Sequence, residues 1–282
     1  SARGYARSRG VKEASGEIVV NVDSDIVIKP DTLTSIYNYF SSHGEVDALT
    51  GLLAKENPYP DFFSQYKNLY MNFVFSRLPE RVSFLYGSIH AFRRSHVMQP
   101  YSCGIKIADD TALGQQFIAE RKQIAFLKEL EVVHLKKYNL FTFVKNDFQI
   151  PFDWAIIFLR YQSWKQLGKS KTGFAHSSKE QLISVILAPL IVLALIAIMR
   201  ERIFITLSFF LISLWALFNF GFLTFLKKEK GFFFAAAAFA VTLVDNVVMA
   251  TGIISGFLSV FASNLKKIFR MGIQEKRSVK QQ

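Results

Sequence analysis

From Leu182 to Ala262 the chain is almost wholly apolar apart from two short charged breaks, and this stretch constrains the protein more than any motif does. Leu182 to Met199 carries no charge and as a helix would span roughly 27 Å, close to the hydrocarbon thickness of a bilayer. Ile203 to Leu226 is also uncharged and longer. Phe232 to Ala262 holds one acidic residue, Asp245, and at roughly 46 Å of helix is too long for one upright span. The chain therefore reads as an integral membrane protein with a soluble domain ahead of a C-terminal membrane region. No N-terminal signal sequence is visible in it.

The net charge of +12 could point to nucleic acid, but the basic residues have another explanation. Arg200, Arg202, Lys227, Lys228, Lys230, Lys266, Lys267 and Arg270 stand at the ends of the apolar segments, and Lys276, Arg277 and Lys280 follow in the tail. Such clusters fit the positive-inside bias and anionic headgroups. There is no zinc-finger spacing or nucleic-acid motif, so nucleic acid is not an expected partner. The single cysteine, Cys103, excludes an intrachain disulfide and suits a reducing cytosolic face.

If the soluble domain and the basic tail are both cytosolic, the chain must cross an even number of times, yet it has three apolar blocks. The third is expected to break at Asp245-Asn246 into two tilted or re-entrant halves. An intramembrane carboxylate faces other helices or water, so Asp245 is either functional or bonded to Asn219 or Asn246. Gly252 and Gly256 have the small-xxx-small spacing of close helix contact, which suits packing on the first two spans.

The soluble part alternates strands and helices, an α/β pattern. Ile18 to Val22 is a β-branched run, read as a strand packed on both faces, and it runs into Asp23-Ser24-Asp25. Two carboxylates at the C-terminal end of a strand in an open sheet sit where ligands collect. They suit magnesium or manganese, which take hard oxygen ligands and leave part of the shell to phosphates and water. The same pair could equally form a turn or cap a helix. Asp31 begins a predicted helix to about Phe40, and Val46 to Leu53 is a predicted strand. After Pro58 and Pro60, the residues Phe62, Tyr66, Leu69 and Phe73 recur at helical spacing as a core or membrane-facing stripe. Val82 to Tyr86 and the run after Gly87-Ser88 read as strands. Asp109 and Asp110 precede a helix to about Arg121, and Gln123–Leu127 and Leu130–His134 read as two further strands.

These residues resemble a known family. Ala6-Arg7-Ser8-Arg9-Gly10, then Ala14-Ser15-Gly16-Glu17, then Asp23-Ser24-Asp25 match in order and spacing the Ala-Arg-Asn-x-Gly, Ala-x-Gly-Glu and Asp-x-Asp pattern of family 2 glycosyltransferases of the GT-A fold. Tyr86-Gly87-Ser88 with Ala91-Phe92-Arg93-Arg94 is similar to that family's acceptor-side loop and following strand. Ala108-Asp109-Asp110 is similar to its Glu-Asp motif, and Val132-Val133-His134 to its late strand ending in histidine. The resemblance covers residues 1 to about 137, and the membrane half is similar, less specifically, to bacterial membrane-anchored members.

It implies a Rossmann-like GT-A domain with a mixed sheet, and a role for each matched residue. Asp23 and Asp25 would hold a divalent metal (Mg or Mn) on the nucleotide diphosphate, with His134 as a further ligand. Asp110 would be the general base that takes the acceptor hydroxyl proton for inversion. Arg7 and Gly87 would lie at the donor, and Arg93 or Arg94 would pair with phosphate. The bland rival for Asp109 and Asp110 is a helix cap and a first-turn carboxylate. The resemblance further implies that the opening strand and the first half of the sheet are missing, so the chain reads as an N-terminally truncated fragment, with a partial GT-A domain and an exposed sheet edge. The Gln-x-x-Arg-Trp of processive synthases is not matched by Gln149-Ile150-Pro151-Phe152-Asp153-Trp154, which favours transfer of a single sugar.

The expected organisation is a partial GT-A domain over 1–137, interfacial amphipathic helices and linker over 138–180, a transmembrane region over 181–264 and a basic cytosolic tail over 265–282. In the second part Phe141, Val144 and Phe148, then Phe152, Ile156 and Leu159, repeat at helical spacing on either side of Pro151. The expected activity is transfer from a nucleotide sugar, a UDP-sugar first, to a lipid-linked or saccharide acceptor at membrane lipids, with the catalytic domain on the cytoplasmic side of a bacterial inner membrane. The alternatives are a non-catalytic membrane scaffold with a GT-A-like domain and, more weakly, a transporter using Asp245.

Overall fold

The computed structural model describes residues 2–97, 101, 105–166 and 174–279, with backbone only for residues 2 and 264–279. Cys103 and the basic side chains from 265 onward lie outside the described residues. A first helix, α1 (Ala2–Glu13), leads into β1 (Ile18–Val22), followed by β2 (Ile26–Val27), α2 (Thr32–Ser42), β3 (Ala48–Leu53) and α3 (Phe62–Phe75). Then come β4 (Arg81–Val82), β5 (Ile89–Arg93), α4 (Asp109–Ala119) and β6 (Ile124–His134).

The sheet is mixed, in the order β1-β5-β3-β6-β2, with β4 on β6. β3 and β6 are parallel, while β5 runs antiparallel to both β1 and β3. It follows that β1, β3 and β6 all point the same way and end on the side where β5 begins. There the Asp23-Ser24-Asp25 turn crosses from one edge to the other. The Asp23 amide donates to the Ser88 carbonyl (3.2 Å) and the Leu135 amide to the Asp25 carbonyl (2.7 Å).

The core lies where β3, buried at every position, meets β5 and β6 under α2 and α3 residues such as Phe40 and Phe75. β1 departs from the expectation of burial on both faces. It pairs on one side only, so Val19 alone is buried and Val22 is 40% exposed. The two strands expected over 123–134 are one, β6, with a register shift opposite Gly51/Leu52 where the chain bulges through 128–130. Of Val82 to Tyr86 only Val82 pairs in the sheet. The Ser83 carbonyl is taken instead by the Gln115 amide of α4 (2.7 Å).

The C-terminal half consists of α5 (Leu140–Arg160), α6 (Lys179–Ala197), α7 (Ile203–Lys230) and α8 (Phe232–Val279). Three stretches, Lys179–Ala197, Ile203–Lys230 and Phe232–Ser263, are long and apolar enough to cross a membrane. α5 is one helix rather than two, opened by a reciprocal cap between Asn139 and Thr142 and continuing through Pro151. Packing against α8 sustains it. Gly252 and Gly256 lie against the Phe148 and Phe152 carbonyls, where any Cβ would collide, so the glycine pair serves α5 and not the first two spans. α8 also runs unbroken through Asp245-Asn246, contrary to the expected interruption. The aromatic stripe of α3 joins the two halves. Tyr66 and Leu69 are buried with Phe143, Phe222, Leu226 and Ala238, and Phe62 meets Phe234 at 4.7 Å between ring centres.

Candidate active site

Four carboxylates and two arginines gather where the parallel strands end. Arg3 and Arg7, one turn apart on α1, both reach Asp109 at the start of α4, at 2.9 and 3.1 Å. Asp109 is fully buried between them. Arg7 also pairs with Asp23 (2.5 Å) and donates to the Gly87 carbonyl (3.2 Å). Burial works against its charge, but the carboxylates of Asp110, Asp109 and Asp23 outweigh that and raise its pKa. α1 is thereby tied to the N-terminus of α4, a link between residues about a hundred positions apart.

Asp110 is held by its Thr111 amide (2.7 Å) and lies against Gly87, where an added Cβ would come within 2.7 Å of its Oδ2. Gly87 thus has a steric reason to lack a side chain. Burial first, and Asp109 second, push the Asp110 carboxyl up to about 6 against the pull of Arg7 and Arg3. That suits a group that must accept a proton near neutral pH.

Asp25 and His134 face each other across the β2–β6 pairing, with Nε2 3.3 Å from Oδ2. The Asp25 side chain is 41% exposed. Burial lowers the His134 pKa, only partly countered by Asp25, which favours the neutral ring and a free nitrogen lone pair. A hard carboxylate oxygen beside an imidazole nitrogen fits a divalent cation. The described residues contain no group of three His, Cys, Asp or Glu arranged for a metal, and Asp23 is turned toward Arg7. A cation on Asp25 and His134 would therefore take the rest of its shell from phosphate and water.

Arg93 corrects the expectation of a phosphate ligand. It closes β5, which begins at the cleft, so it stands about 13 Å away along the strand. Its guanidinium donates to the carbonyls of Phe40 (2.8 Å), Val46 (3.0 Å) and His43 (3.3 Å). Arg94 is bound to the Gly16 carbonyl. His90, read as structural, is bonded to the Tyr86 carbonyl and Tyr101 hydroxyl, and burial pushes its pKa down to about 3.

One cleft of about 390 Å³ contains Asp23, Asp25, Gly87, Asp110 and His134 and continues past Lys67, Asp147 and Trp154 to Gln181 of α6 and Met249 of α8. Sequence reasoning missed several of its supports. Asp153 accepts from the Ile107 (2.7 Å) and Ala108 (3.2 Å) amides and so fixes the start of α4, and Gln149 holds Asp153 (3.0 Å). The i, i+4 spacings of Arg3/Arg7 and Gln149/Asp153 were the available signal. Asp245 is buried close to Asp147, which Lys67 meets at 2.6 Å. Asn219, one expected partner of Asp245, donates to Ser184 and the Trp215 carbonyl instead.

Comparisons with known proteins bear on the same region. Residues 2–99 match the family described as Glycosyl transferase family 2, a span that contains Arg7, Asp23, Asp25 and Gly87 and stops short of Asp110 and His134. Among solved structures, the mannosyltransferase PcManGT from Pyrobaculum calidifontis, in complex with GDP-Man and Mn2+, is similar at TM-score 0.47 and 13% identity. The match covers 90% of this chain and 66% of that one, so the chain spans just under two thirds of the neighbour's length. A comparison with curated proteins finds no match. The arginine of α1, the aspartate turn and the glycine before β5 thus all fall inside the span that is similar to glycosyl transferase family 2, and the mixed sheet that carries them lies ahead of three helices long and apolar enough to cross a membrane.

Proposed function

We propose that the protein transfers one sugar, with inversion, from a nucleotide-sugar donor to an acceptor held at the membrane. The observation that carries this reading is the single cleft. At one end Asp25 and His134 converge, Asp110 stands in the same space, and the far wall belongs to α6 and α8. Asp25 and His134 would hold a divalent cation, Mg or Mn, which when bound neutralises charge on the donor diphosphate. Arg7, with Asp109 and Arg3, holds Asp23 and the start of α4 in fixed relation. Asp110 takes the proton of the acceptor hydroxyl as its oxygen attacks the anomeric carbon. The bond from that carbon to the phosphate oxygen breaks on the opposite face, and its electron pair leaves with the nucleoside diphosphate.

The membrane reading rests on the three apolar helices and on the basic residues beside them, which suit a cytoplasmic catalytic domain at a bacterial inner membrane. A UDP-sugar is the first donor to test and a lipid-linked or saccharide acceptor the first partner. The experiment is release of nucleoside diphosphate from a panel of donors by the protein in membranes, compared with Asp110→Asn. Loss of a base of this kind costs about 10²- to 10⁴-fold in rate while leaving donor binding intact. An unchanged rate would remove Asp110 from the mechanism, and a wild type inert with every donor would favour the scaffold reading.

A further inference from the structure

The cleft contains three long cations, and they are not equivalent. Arg3 is paired with Asp109 at 2.9 Å and Lys67 with Asp147 at 2.6 Å. Lys136 has no carboxylate at ion-pair distance among the described residues, and its ammonium instead lies 4.9 Å from the centre of the Tyr138 ring. A cation in a cleft without a counter-ion has charge available for a ligand.

The backbone that presents Lys136 is pinned at both ends. The Asn57 side-chain amide donates to the carbonyls of His134 (3.0 Å) and Lys136 (3.4 Å), and the Tyr138 amide donates to the Ser64 hydroxyl (2.8 Å). Lys136 is thus displayed two residues beyond the Asp25–His134 pair from a strap already ordered before any ligand arrives, which reduces the entropic cost of binding.

We propose that Lys136 binds the donor's terminal phosphate, the oxygen that leaves with the nucleoside diphosphate. This rests on the donor reading given above. When the anomeric carbon–oxygen bond breaks, its electron pair stays on that oxygen and adds one negative charge beside the ammonium. The acceptor's proton goes to Asp110, so Lys136 gives up nothing and acts through charge alone.

The test is calorimetric binding of UDP and GDP, and of UMP and GMP, each with Mn2+, to the full chain in detergent, for wild type, Lys136→Met and Lys136→Arg. Loss of one hydrogen bond to a charged group predicts that Lys136→Met weakens the diphosphates by about 10- to 100-fold. The monophosphates, which lack the phosphate in question, should be almost unaffected, and Lys136→Arg should restore most of the affinity. Equal weakening of mono- and diphosphates would mark general damage and overturn the assignment. Unchanged diphosphate affinity, with only the acceptor KM altered, would overturn it in favour of an anionic acceptor. Failure of every nucleotide to bind the wild type would overturn the donor reading itself, and this inference with it.

Discussion

Two carboxylate clusters border the same cleft and resolve their charge in different ways. At the strand ends, Asp23, Asp25, Asp109 and Asp110 face Arg3 and Arg7, and the surplus negative charge borders open volume. At the junction of α3, α5 and α8, Asp147 and Asp245 face Lys67, and both aspartates are buried, at 2% and 3% exposure. There Lys67 pairs with Asp147 at 2.6 Å and both carboxylates are packed away from solvent among the helices. In the strand-end cluster, by contrast, the Asp25 side chain remains partly exposed for a cation. The difference teaches that an acidic cluster is a binding site only where its unbalanced charge can be reached. Where the carboxylates are buried and paired with a lysine, the same residue types tie the long apolar α8 to α3 and α5.

The sharpest way to break this contrast is to remove the charge that matches Lys67. Asp147→Ala would remove the carboxylate that pairs with the partly buried Lys67, and breaking a buried pair from one side costs up to about 3 to 5 kcal/mol. The expected result is a large drop in thermal stability in detergent, measured by following unfolding of the purified protein. If the variant melted with the wild type, the junction would not be a structural tie. Asp110→Asn, by contrast, should remove activity without such a loss, because Asp110 has no ion pair within 4 Å among the described residues.

A second contrast is in pH. Asp110 must be ionised to accept a proton, and burial with Asp109 beside it puts its carboxyl at about 6. Below that pH the base is increasingly protonated, so kcat/KM should fall about tenfold per unit on the acid side and level off above it. A profile flat from pH 5 to 8 would mean that the strand-end surplus is not in the catalytic step.

How much of this was legible beforehand depends on how local each signal is. The apolar helices, the α3 stripe, the β-branched run before Asp23 and the acidic start of α4 are patterns within one element, and they stand where the periodicity put them. The pairing of Arg3 and Arg7 with Asp109 joins residues about a hundred positions apart, and that of Lys67 with Asp147 residues 80 apart, which no spacing rule encodes. Arg93 was misread because its motif does not reveal which end of β5 faces the cleft; pairing with β1 and β3 decides that. Pro151 suggested two helices from its local preference, and packing of α5 on Gly252 and Gly256 overrides it.

The mildest perturbation is the most selective. Asp245→Asn keeps the shape and places an amide donor close to Asp147. The stability change should be within about 1 kcal/mol, the range of a single exchanged hydrogen bond. The variant should also leave the acid limb near pH 6 in place, because burial and Asp109 raise the Asp110 carboxyl and Arg7 and Arg3 oppose them. A displaced limb would mean that the two clusters are coupled, and the distinction between an exposed and a buried surplus would fail. A transporter reading of Asp245 makes the opposite prediction, since a carboxylate that carries an ion or proton across the membrane cannot lose its charge without losing transport. Measuring sugar transfer and ion flux on the same reconstituted variant separates these outcomes: transfer retained with no flux in the wild type assigns Asp245 to the junction.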